Sequence, residues 1–545
     1  MFSSHLVFSG SDELEKTKTD SDYQVVGVFK SLETDDTKMV VNESDAIEKN
    51  RMFDVRCRSR KLRFLVCGLI TPLVLIVLGI LIIALRTLMY NSLKSQVLSI
   101  NPSSESFEMF KKTPFDIYLD IYFFNWTNPE KFSDPSVKPK FEEVGPFRFL
   151  EVMEKTNITF HENSTVSYNR TRRWYFQKDY SPYDLNTPIT SINPVVVAGG
   201  YTMRHESMWV KKLFSVGVRS IMGQMDVTQS VGNLFFYGYD DPLISLGKSL
   251  PFVKAKVPPM DKFGWFYKRN GSNVFDGRYN MGTGRGKASF GQLYNYNNDK
   301  HSPFYEGACG EFRGSAGEFF PAGLGRKPLE LFNPEMCRTI VLDFVEDQSK
   351  NMIDGYKFTL GDHFFDNGTI YPENTCYCTG DCVPYGLMNV SLCRYGSPGF
   401  VSLPHFYKAD PYYTNLIDGM KPSEKHDFYM IIEPTTGLPL EVSARLQINL
   451  LVKNIPDVGL MENREDVFFP IFWFEQVVEI PTKYSLALLF LLNLKGICLM
   501  AGLLMIFTGI FMISLTIYRI CTTPLWTREN KLYSKELVPL SQDKR

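Results

Sequence analysis

Two uncharged apolar segments, one near each end of the 545-residue chain, constrain its architecture most strongly. Residues 64–85 and 496–518 contain no charged side chain. A helix of 22 residues rises roughly 33 Å, which is enough to cross a bilayer core. Basic residues precede the first segment and follow the second, so both termini are predicted to be cytosolic. A buried core helix is the alternative for either segment, but the length and the flanking charges argue against it.

These two predicted transmembrane helices divide the chain. We expect a disordered, polar cytosolic tail over residues 1–63, an extracytosolic domain over residues 86–495 and a second cytosolic tail over residues 519–545. No apolar stretch follows Met1, so the first span is expected to act as an uncleaved signal anchor. The net charge of -1 gives no indication of a nucleic-acid partner.

Glycosylation sequons support this topology. Those between the two spans begin at Asn125, Asn157, Asn163, Asn169, Asn270, Asn367 and Asn389, and each is predicted to carry a glycan. Asn42 begins a sequon in the N-terminal tail. We expect no glycan on Asn42, because that tail is predicted to be cytosolic.

Cysteines in the middle of the chain indicate an oxidising compartment. The run 376–393 contains four of them and a sequon, a combination typical of lumenal or extracellular domains. Cys376 and Cys378 point the same way in a strand and need different partners, whereas Cys378 and Cys382 can close a small loop. Spacing alone does not choose the full pairing among Cys309, Cys337, Cys376, Cys378, Cys382 and Cys393. A zinc site is the alternative, but no His accompanies the cysteines.

Local patterns predict strands with inserted helices. Residues 115–124 alternate apolar and polar side chains in their first half, as a half-buried strand does. Residues 428–432 and 438–452 flank a hairpin-like turn. Residues 206–224 are the best helix candidate.

In that candidate helix, one face carries Trp209, Leu213, Val216 and Ser220. Lys212 and Arg219 lie on another face, with Lys211 nearby. The three basic residues are a candidate site for anionic ligands, although solvated surface charge is the alternative.

Catalytic and metal-binding patterns are missing from the sequence. The glycine-rich stretch 282–287 lacks the first glycine and the Ser/Thr of a phosphate-binding loop. The sequence contains neither a paired-His metal motif nor a Gly-x-Ser-x-Gly nucleophile elbow, which an ecto-lipase would need. We therefore expect no enzyme activity, no bound metal and no cofactor.

The two tails contain candidate sorting and lipidation residues. Tyr23 and Val26 form a Tyr-x-x-apolar match that resembles an endocytic sorting signal, a pattern that also arises by chance. Cys57 and Cys521 lie just beyond the predicted spans, where cysteines are often S-palmitoylated. They can equally be plain reduced thiols.

Several short motifs, taken in order between the two apolar segments, resemble the family of class B scavenger receptors and lysosomal integral membrane proteins. They are YFFNWTNPE at 122–130, EEVGPF at 142–147, YGYDDP at 237–242, MCR at 336–338, SLPHF at 402–406, IEPTTG at 432–437 and RLQINLLVK at 445–453. The likeness covers roughly residues 64–520. The long acidic N-terminal tail departs from the short tail usual in that family.

The resemblance implies a membrane-anchored α+β fold. Its parts are a large antiparallel β-barrel-like ectodomain, an apical helical bundle at about residues 193–230, a disulfide-rich part over residues 309–393 and an internal hydrophobic tunnel. It also implies the pairs Cys309–Cys376, Cys337–Cys393 and Cys378–Cys382. By position, His205 lies near a histidine that the lysosomal branch uses for acid-dependent partner binding.

The function implied by the resemblance is that of a receptor for lipids, lipoproteins or other anionic ligands, at the plasma membrane or in endosomes and lysosomes. It would take up its ligand or pass lipid through the tunnel. The alternative within the same family is a lysosomal or endosomal protein that acts in cargo trafficking or vesicle maturation, with a lumenal cargo protein as partner.

Overall fold

The computed structural model describes residues 66–249 and 260–522. The chain divides into two compact units: Met1–Leu81 with Ala501–Arg545, and Ile82–Met500. Two long helices, α1 (Thr71–Val97) and α8 (Thr482–Thr522), contribute residues to both units, and a short π-helix, Val66–Ile70, precedes α1. Among the described residues, Gly68–Val97 and Thr482–Arg519 are long and apolar enough to cross a membrane.

In the first unit, small residues let α1 and α8 approach each other closely. A Cβ atom added at Gly79 would lie 2.6 Å from the carbonyl oxygen of Gly502, and one added at Gly509 would lie 2.6 Å from Ile76. Close backbone approach through small residues is the usual way for helices to pack where no hydrophobic effect drives them together.

The helix α8 begins earlier than the predicted segment 496–518. Asn493 and Lys495 do not end the helix, because Asn493 donates to the carbonyl of Leu489 at 2.9 Å and Lys495 lies 4.3 Å from the centre of the Tyr90 ring. Polar side chains limit a membrane-spanning stretch but are compatible with a helix that continues beyond it.

The second unit is organised around one large antiparallel sheet. Its hydrogen-bonded order is β7-β6-β3-β2-β1-β15-β14-β13-β10-β9-β8, with β12 and β11 attached to β14. These strands are β1 (Ile117–Trp126), β2 (Phe141–Phe160), β3 (Thr165–Phe176), β6 (Arg278–Gly282), β7 (Leu293–Tyr296), β8 (Leu329–Asn333), β9 (Arg338–Lys350), β10 (Ile353–Thr359), β11 (Met388–Asn389), β12 (Gly399–Ser402), β13 (Tyr429–Glu433), β14 (Leu438–Val452) and β15 (Val467–Glu479). A separate pair joins β4 (Pro188–Ile192) and β5 (Asp226–Ser230).

A short connecting segment nearly closes the sheet into a barrel. The edge strand β7 bonds to this segment through Leu293, whose amide donates to Gly314 at 2.9 Å. The same segment reaches the other edge through Ser315, whose amide donates to Glu330 in β8 at 3.1 Å. Both edges of the sheet are thus protected from pairing with another chain.

The strand β1 is more buried than its alternating pattern predicts. Ile117, Leu119 and Ile121 are buried, and the polar Asp120 is buried with them. Arg148 of the neighbouring strand β2 donates to both carboxylate oxygens of Asp120, at 2.7 and 2.5 Å. The ion pair lets a polar residue occupy the centre of the sheet.

The turn between β13 and β14 confirms the predicted hairpin. The carboxylate of Glu433 accepts hydrogen bonds from the amides of Thr435 and Thr436, each at 2.7 Å. Gly437 has φ +75°, and a Cβ atom there would lie 2.2 Å from the carbonyl oxygen of Phe320. Only glycine fits this position.

Helices cover one region of the sheet. They include α3 (Pro194–Met203), α4 (Met208–Ile221) and α5 (Pro242–Ser249). The side chain of Asn193 caps α3 by accepting from the amides of Val195 and Val196, and Asp241 fixes that cap with a hydrogen bond of 2.9 Å. The shorter helices elsewhere are α2 (Glu105–Lys111), α6 (Asp362–Phe365) and α7 (Pro411–Asn415).

Candidate functional site

A cavity of about 920 Å³ extends from α3, α4 and α5 into the interior of the sheet. Most of its wall is apolar. The apolar lining includes Leu119, Val195, Leu213, Phe214, Val218, Leu243, Phe263, Trp265, Val401, Leu446, Leu450 and Phe472. A concave apolar space of this size suits a lipid or another elongated hydrophobic ligand.

The facing helices leave this space open because their inner positions carry small residues. On α3 the cavity is lined by Val195, Ala198, Gly199 and Thr202, which recur at helical spacing. On α4, Gly217 lines the cavity, and a Cβ atom added there would meet nothing within 4 Å. Larger side chains at these positions would occupy the space.

The outer face of α4 exposes the apolar residues that the sequence placed on one face. Trp209, Leu213 and Val216 are 75, 64 and 62 % exposed. Leu213 also lines the cavity, so it lies at the rim. The exposed apolar stripe of α4, defined by these three residues, therefore runs up to the cavity mouth.

A cluster of charged residues interrupts the apolar wall inside the sheet. The carboxylate of Glu335 accepts hydrogen bonds from Arg172 at 3.0 Å, from Arg394 at 2.9 Å and from Arg269. Arg172 also forms a two-point pair with Asp276, at 2.7 and 2.8 Å. We call these five residues, Arg172, Arg269, Asp276, Glu335 and Arg394, the arginine cluster.

Burial and the neighbouring positive charges act in opposite directions on the pKa of Glu335. Burial alone would raise the pKa of Glu335, but the charges of Arg269, Arg394 and Arg172 outweigh it and hold that pKa well below its ordinary value. The Nε of Arg269 is buried without a hydrogen-bond partner among the described residues. Arg172, Arg269, Glu335 and Arg394 all line the cavity, so the cluster forms a charged part of a largely apolar wall.

Glu151 adds a second polar point on the cavity wall. Its Oε2 accepts from the indole of Trp174 and from the amide of Gln476, each at 3.0 Å. Together with the arginine cluster, it suits an amphipathic ligand with a polar group at one end. Sequence reasoning missed both groups, because residues from 151 to 476 meet here.

The predicted basic site is partly neutralised. Lys211 and Lys212 lie 3.6 and 3.9 Å from the carboxylate of Asp457, and the side chain of Lys211 is only 14 % exposed. Arg219 is exposed near the end of α4. His205 is exposed in the turn between α3 and α4. The structure thus brings Lys211 and Lys212 together on one carboxylate, and Arg219 lies about two helical turns away.

The described cysteines of the disulfide-rich part pair as Cys309–Cys376, Cys337–Cys393 and Cys378–Cys382. Cys521 is exposed in the last turn of α8. The sorting residues Tyr23 and Val26 and the cysteine Cys57 lie outside the described residues. Within the described part of the chain, no group of three His, Cys, Asp or Glu residues could hold a metal ion.

The predicted glycosylation residues differ in accessibility. Asn157, Asn163 and Asn270 are exposed. Asn125, Asn367 and Asn389 are half-buried, whereas Asn169 is buried. The side-chain amides of Asn270, Asn367 and Asn389 donate to backbone carbonyls, so in the folded chain they are held by the backbone.

Comparisons with known proteins agree with this architecture. The CD36 family profile matches residues 69–520. Protein peste of Drosophila melanogaster is 38% identical over 75% of this chain and 74% of its own length. Scavenger receptor class B member 1 of Rattus norvegicus is 35% identical over 73% of this chain and 79% of its own. Lysosome membrane protein 2 of Homo sapiens is 29% identical over 72% of this chain and 80% of its own length.

Proposed function

The chain belongs to the CD36 family, and from this premise we propose that it is a two-span receptor that binds lipids or lipoproteins outside the cytosol. Members of this family are receptors and not enzymes. The observation that carries the proposal is the apolar cavity that opens beside α4 and continues into the sheet. Lipid transfer along such a path needs no covalent chemistry, because hydrophobic burial drives it.

The surface that first contacts the ligand is the exposed apolar stripe of α4. Contiguous exposed apolar residues usually mark an interaction site, and this stripe adjoins the cavity rim. A lipid monolayer, such as the surface of a lipoprotein particle, fits both its chemistry and its position. Arg219 can add attraction for anionic headgroups, whereas Lys211 and Lys212 already share Asp457.

A pair of α4 variants tests transfer through the cavity. Gly217→Phe places a ring in the open space, and it removes a helix-weakening glycine. Met208→Phe places the same ring at the exposed first residue of α4, outside the cavity lining and outside the exposed apolar stripe, and serves as the matched control. Cells that express equal surface amounts of each variant are given lipoprotein containing a fluorescent cholesteryl ester. We expect Gly217→Phe to lower lipid uptake severalfold and Met208→Phe to leave it near wild type. Equal uptake by both variants would contradict transfer through this cavity.

The proposed topology places both tails in the cytosol. Protease added to intact cells is then expected to leave epitope tags on both termini untouched. Cleavage of either tag at the cell surface would reverse the orientation. Sugar on Asn42 would do the same.

A second candidate function is cargo trafficking in endosomes or lysosomes. The similarity to lysosome membrane protein 2 favours it, as does the match at Tyr23 and Val26. Imaging of a tagged chain before and after Tyr23→Ala separates the candidates. Movement from internal vesicles to the cell surface in the variant supports the trafficking function, and an unchanged surface location supports the surface receptor.

A further inference from the structure

Arg338 is a buried cation that forms no ion pair with an acidic residue in the part of the chain that the structure describes. It begins β9 and is 4% exposed. One terminal nitrogen of its guanidinium donates to the carbonyl of Phe364 at 3.1 Å, and its Cζ lies 3.7 Å from the centre of the Tyr377 ring. Its Nε is buried without a hydrogen-bond partner, and no carboxylate among the described residues forms an ion pair with it.

An unpaired guanidinium at this depth is unusual. Arginine keeps its proton in proteins, and a buried charge is costly unless it is paired and hydrogen-bonded. The ring of Tyr377 offsets part of that cost through a cation–π contact. Burial lowers the pKa of Arg338, as expected for a cation whose surroundings provide too little compensation.

A second cavity, of about 440 Å³, lies against this guanidinium. Its lining includes Arg338, Tyr377, Arg313 and His363, and it is separate from the lining of the large apolar cavity. The carboxylate of Glu330 in the same wall is already held by Arg313 at 2.9 Å. Glu373 also lines the cavity and is exposed.

We propose that this cavity binds a small oxyanion, with its oxygens on the free N–H groups of Arg338. The planar fork of an arginine matches phosphate, sulfate and carboxylate groups. The cavity has room for several waters beside such an ion, at roughly 30 Å³ each. The oxyanion can be free or can be the end of a phosphate or sulfate ester, since the cavity is not fully enclosed.

The disulfide Cys309–Cys376 lies next to this site in the chain. Cys376 directly precedes Tyr377, so the bridge holds the turn that carries the ring over the guanidinium. An oxyanion bound to Arg338 would consequently lie between this turn and the start of β9. The site is independent of the proposed receptor function, and its failure would leave that function untouched.

The test uses the full-length chain, purified in detergent. Line broadening of the ³¹P signal of inorganic phosphate is followed as protein is added, with sulfate as competitor and choline chloride as a control for ionic strength. Glycerol 3-phosphate in place of phosphate distinguishes an ester from the free ion. We expect the phosphate signal to broaden saturably, and we expect sulfate, but not choline chloride, to reverse the broadening. Absence of such broadening with the wild-type chain would overturn the proposal.

Matched arginine variants locate the site. Arg338→Met retains a long apolar side chain over Tyr377 and is expected to bind phosphate about tenfold more weakly or worse, because charge-assisted hydrogen bonds are lost. Arg326→Met removes an exposed arginine that is paired with Asp347, and it is expected to bind like wild type. Equal weakening in both variants, or in neither, would refute the assignment. If Arg338→Met does not fold, Arg338→Lys takes its place: binding weaker than wild type supports the site, and unchanged binding overturns it.

Discussion

Replacing His426 with Phe tests how strongly a buried histidine couples the stability of the sheet-containing unit, Ile82–Met500, to pH. His426 is 1 % exposed, and both of its ring nitrogens are buried without a hydrogen-bond partner among the described residues. Its ring stacks on His405, with the centroids 4.6 Å apart, and meets the edge of Trp473. His405 in turn pairs with Glu143 at 2.7 Å.

Burial and the nearby charges of His405 and Lys425 lower the pKa of His426 to about 4. In the unfolded chain a histidine titrates near about 6.5. As the pH falls from about 6.5 to about 4, the unfolded state takes up a proton that the folded state refuses, so the folded state loses stability. The shift of about 2.5 units corresponds to a loss of roughly 3 kcal/mol, of which roughly 2 is reached at about pH 5.

The assay is thermal unfolding of the detergent-purified chain at one scan rate, at neutral pH and at pH 5. His426→Phe keeps an aromatic ring against His405 but cannot take up a proton. We expect its unfolding temperature to fall less between the two pH values than that of wild type, by an amount equivalent to roughly 2 kcal/mol. The control is His205→Phe, which changes an exposed histidine and should retain the full wild-type pH dependence.

A pH dependence in His426→Phe equal to that of wild type would refute this reasoning. It would show that groups other than His426 account for the acid sensitivity.

Three further predictions concern the same unit. Glu335→Gln removes the charge that Arg172, Arg269 and Arg394 share, while Asp276 still pairs with Arg172, and it is expected to cost roughly 1.5–3 kcal/mol, measured as a lower unfolding temperature; an unchanged temperature would contradict it. Asn163→Gln should shift the mobility of the chain on a gel by one glycan, whereas Asn169→Gln should not, because Asn169 is buried. Loss of the Cys337–Cys393 bridge through a double change to Ser should cost about 2–4 kcal/mol, measured as a lower unfolding temperature, and an unchanged temperature would count against a structural role.

Features set by local sequence could be predicted. The two apolar segments, the turn at Glu433 and Gly437 and the helix around α4 all depend on residues close together in the chain. Even there, the helix boundaries differ from the prediction: α4 runs over Met208–Ile221 and not 206–224. The extent of α8 was missed because a polar pair such as Asn493 and Lys495 limits a membrane span without ending a helix.

Features that depend on distant residues could not be predicted. The arginine cluster joins Arg172 of β3 to Glu335 and Arg394, which are more than 150 residues away. Nothing in the sequence around Arg338 indicates that no carboxylate of the described residues pairs with its guanidinium, because that depends on all the elements packed around it. The cavity is equally hidden, since small residues such as Gly217 form an open space only when α3 faces them.

The orientation of α4 changes which chemistry would capture a ligand. A surface helix ordinarily turns its apolar stripe toward the core, but here Trp209, Leu213 and Val216 face outward while Lys211 is largely covered and paired. Keeping such a stripe exposed carries a risk of aggregation, and its position at the rim of an apolar cavity fits the proposed contact with lipid. Capture would then depend mainly on apolar contact, with Arg219 adding charge attraction, and the cationic patch suggested by the sequence alone would have the smaller part.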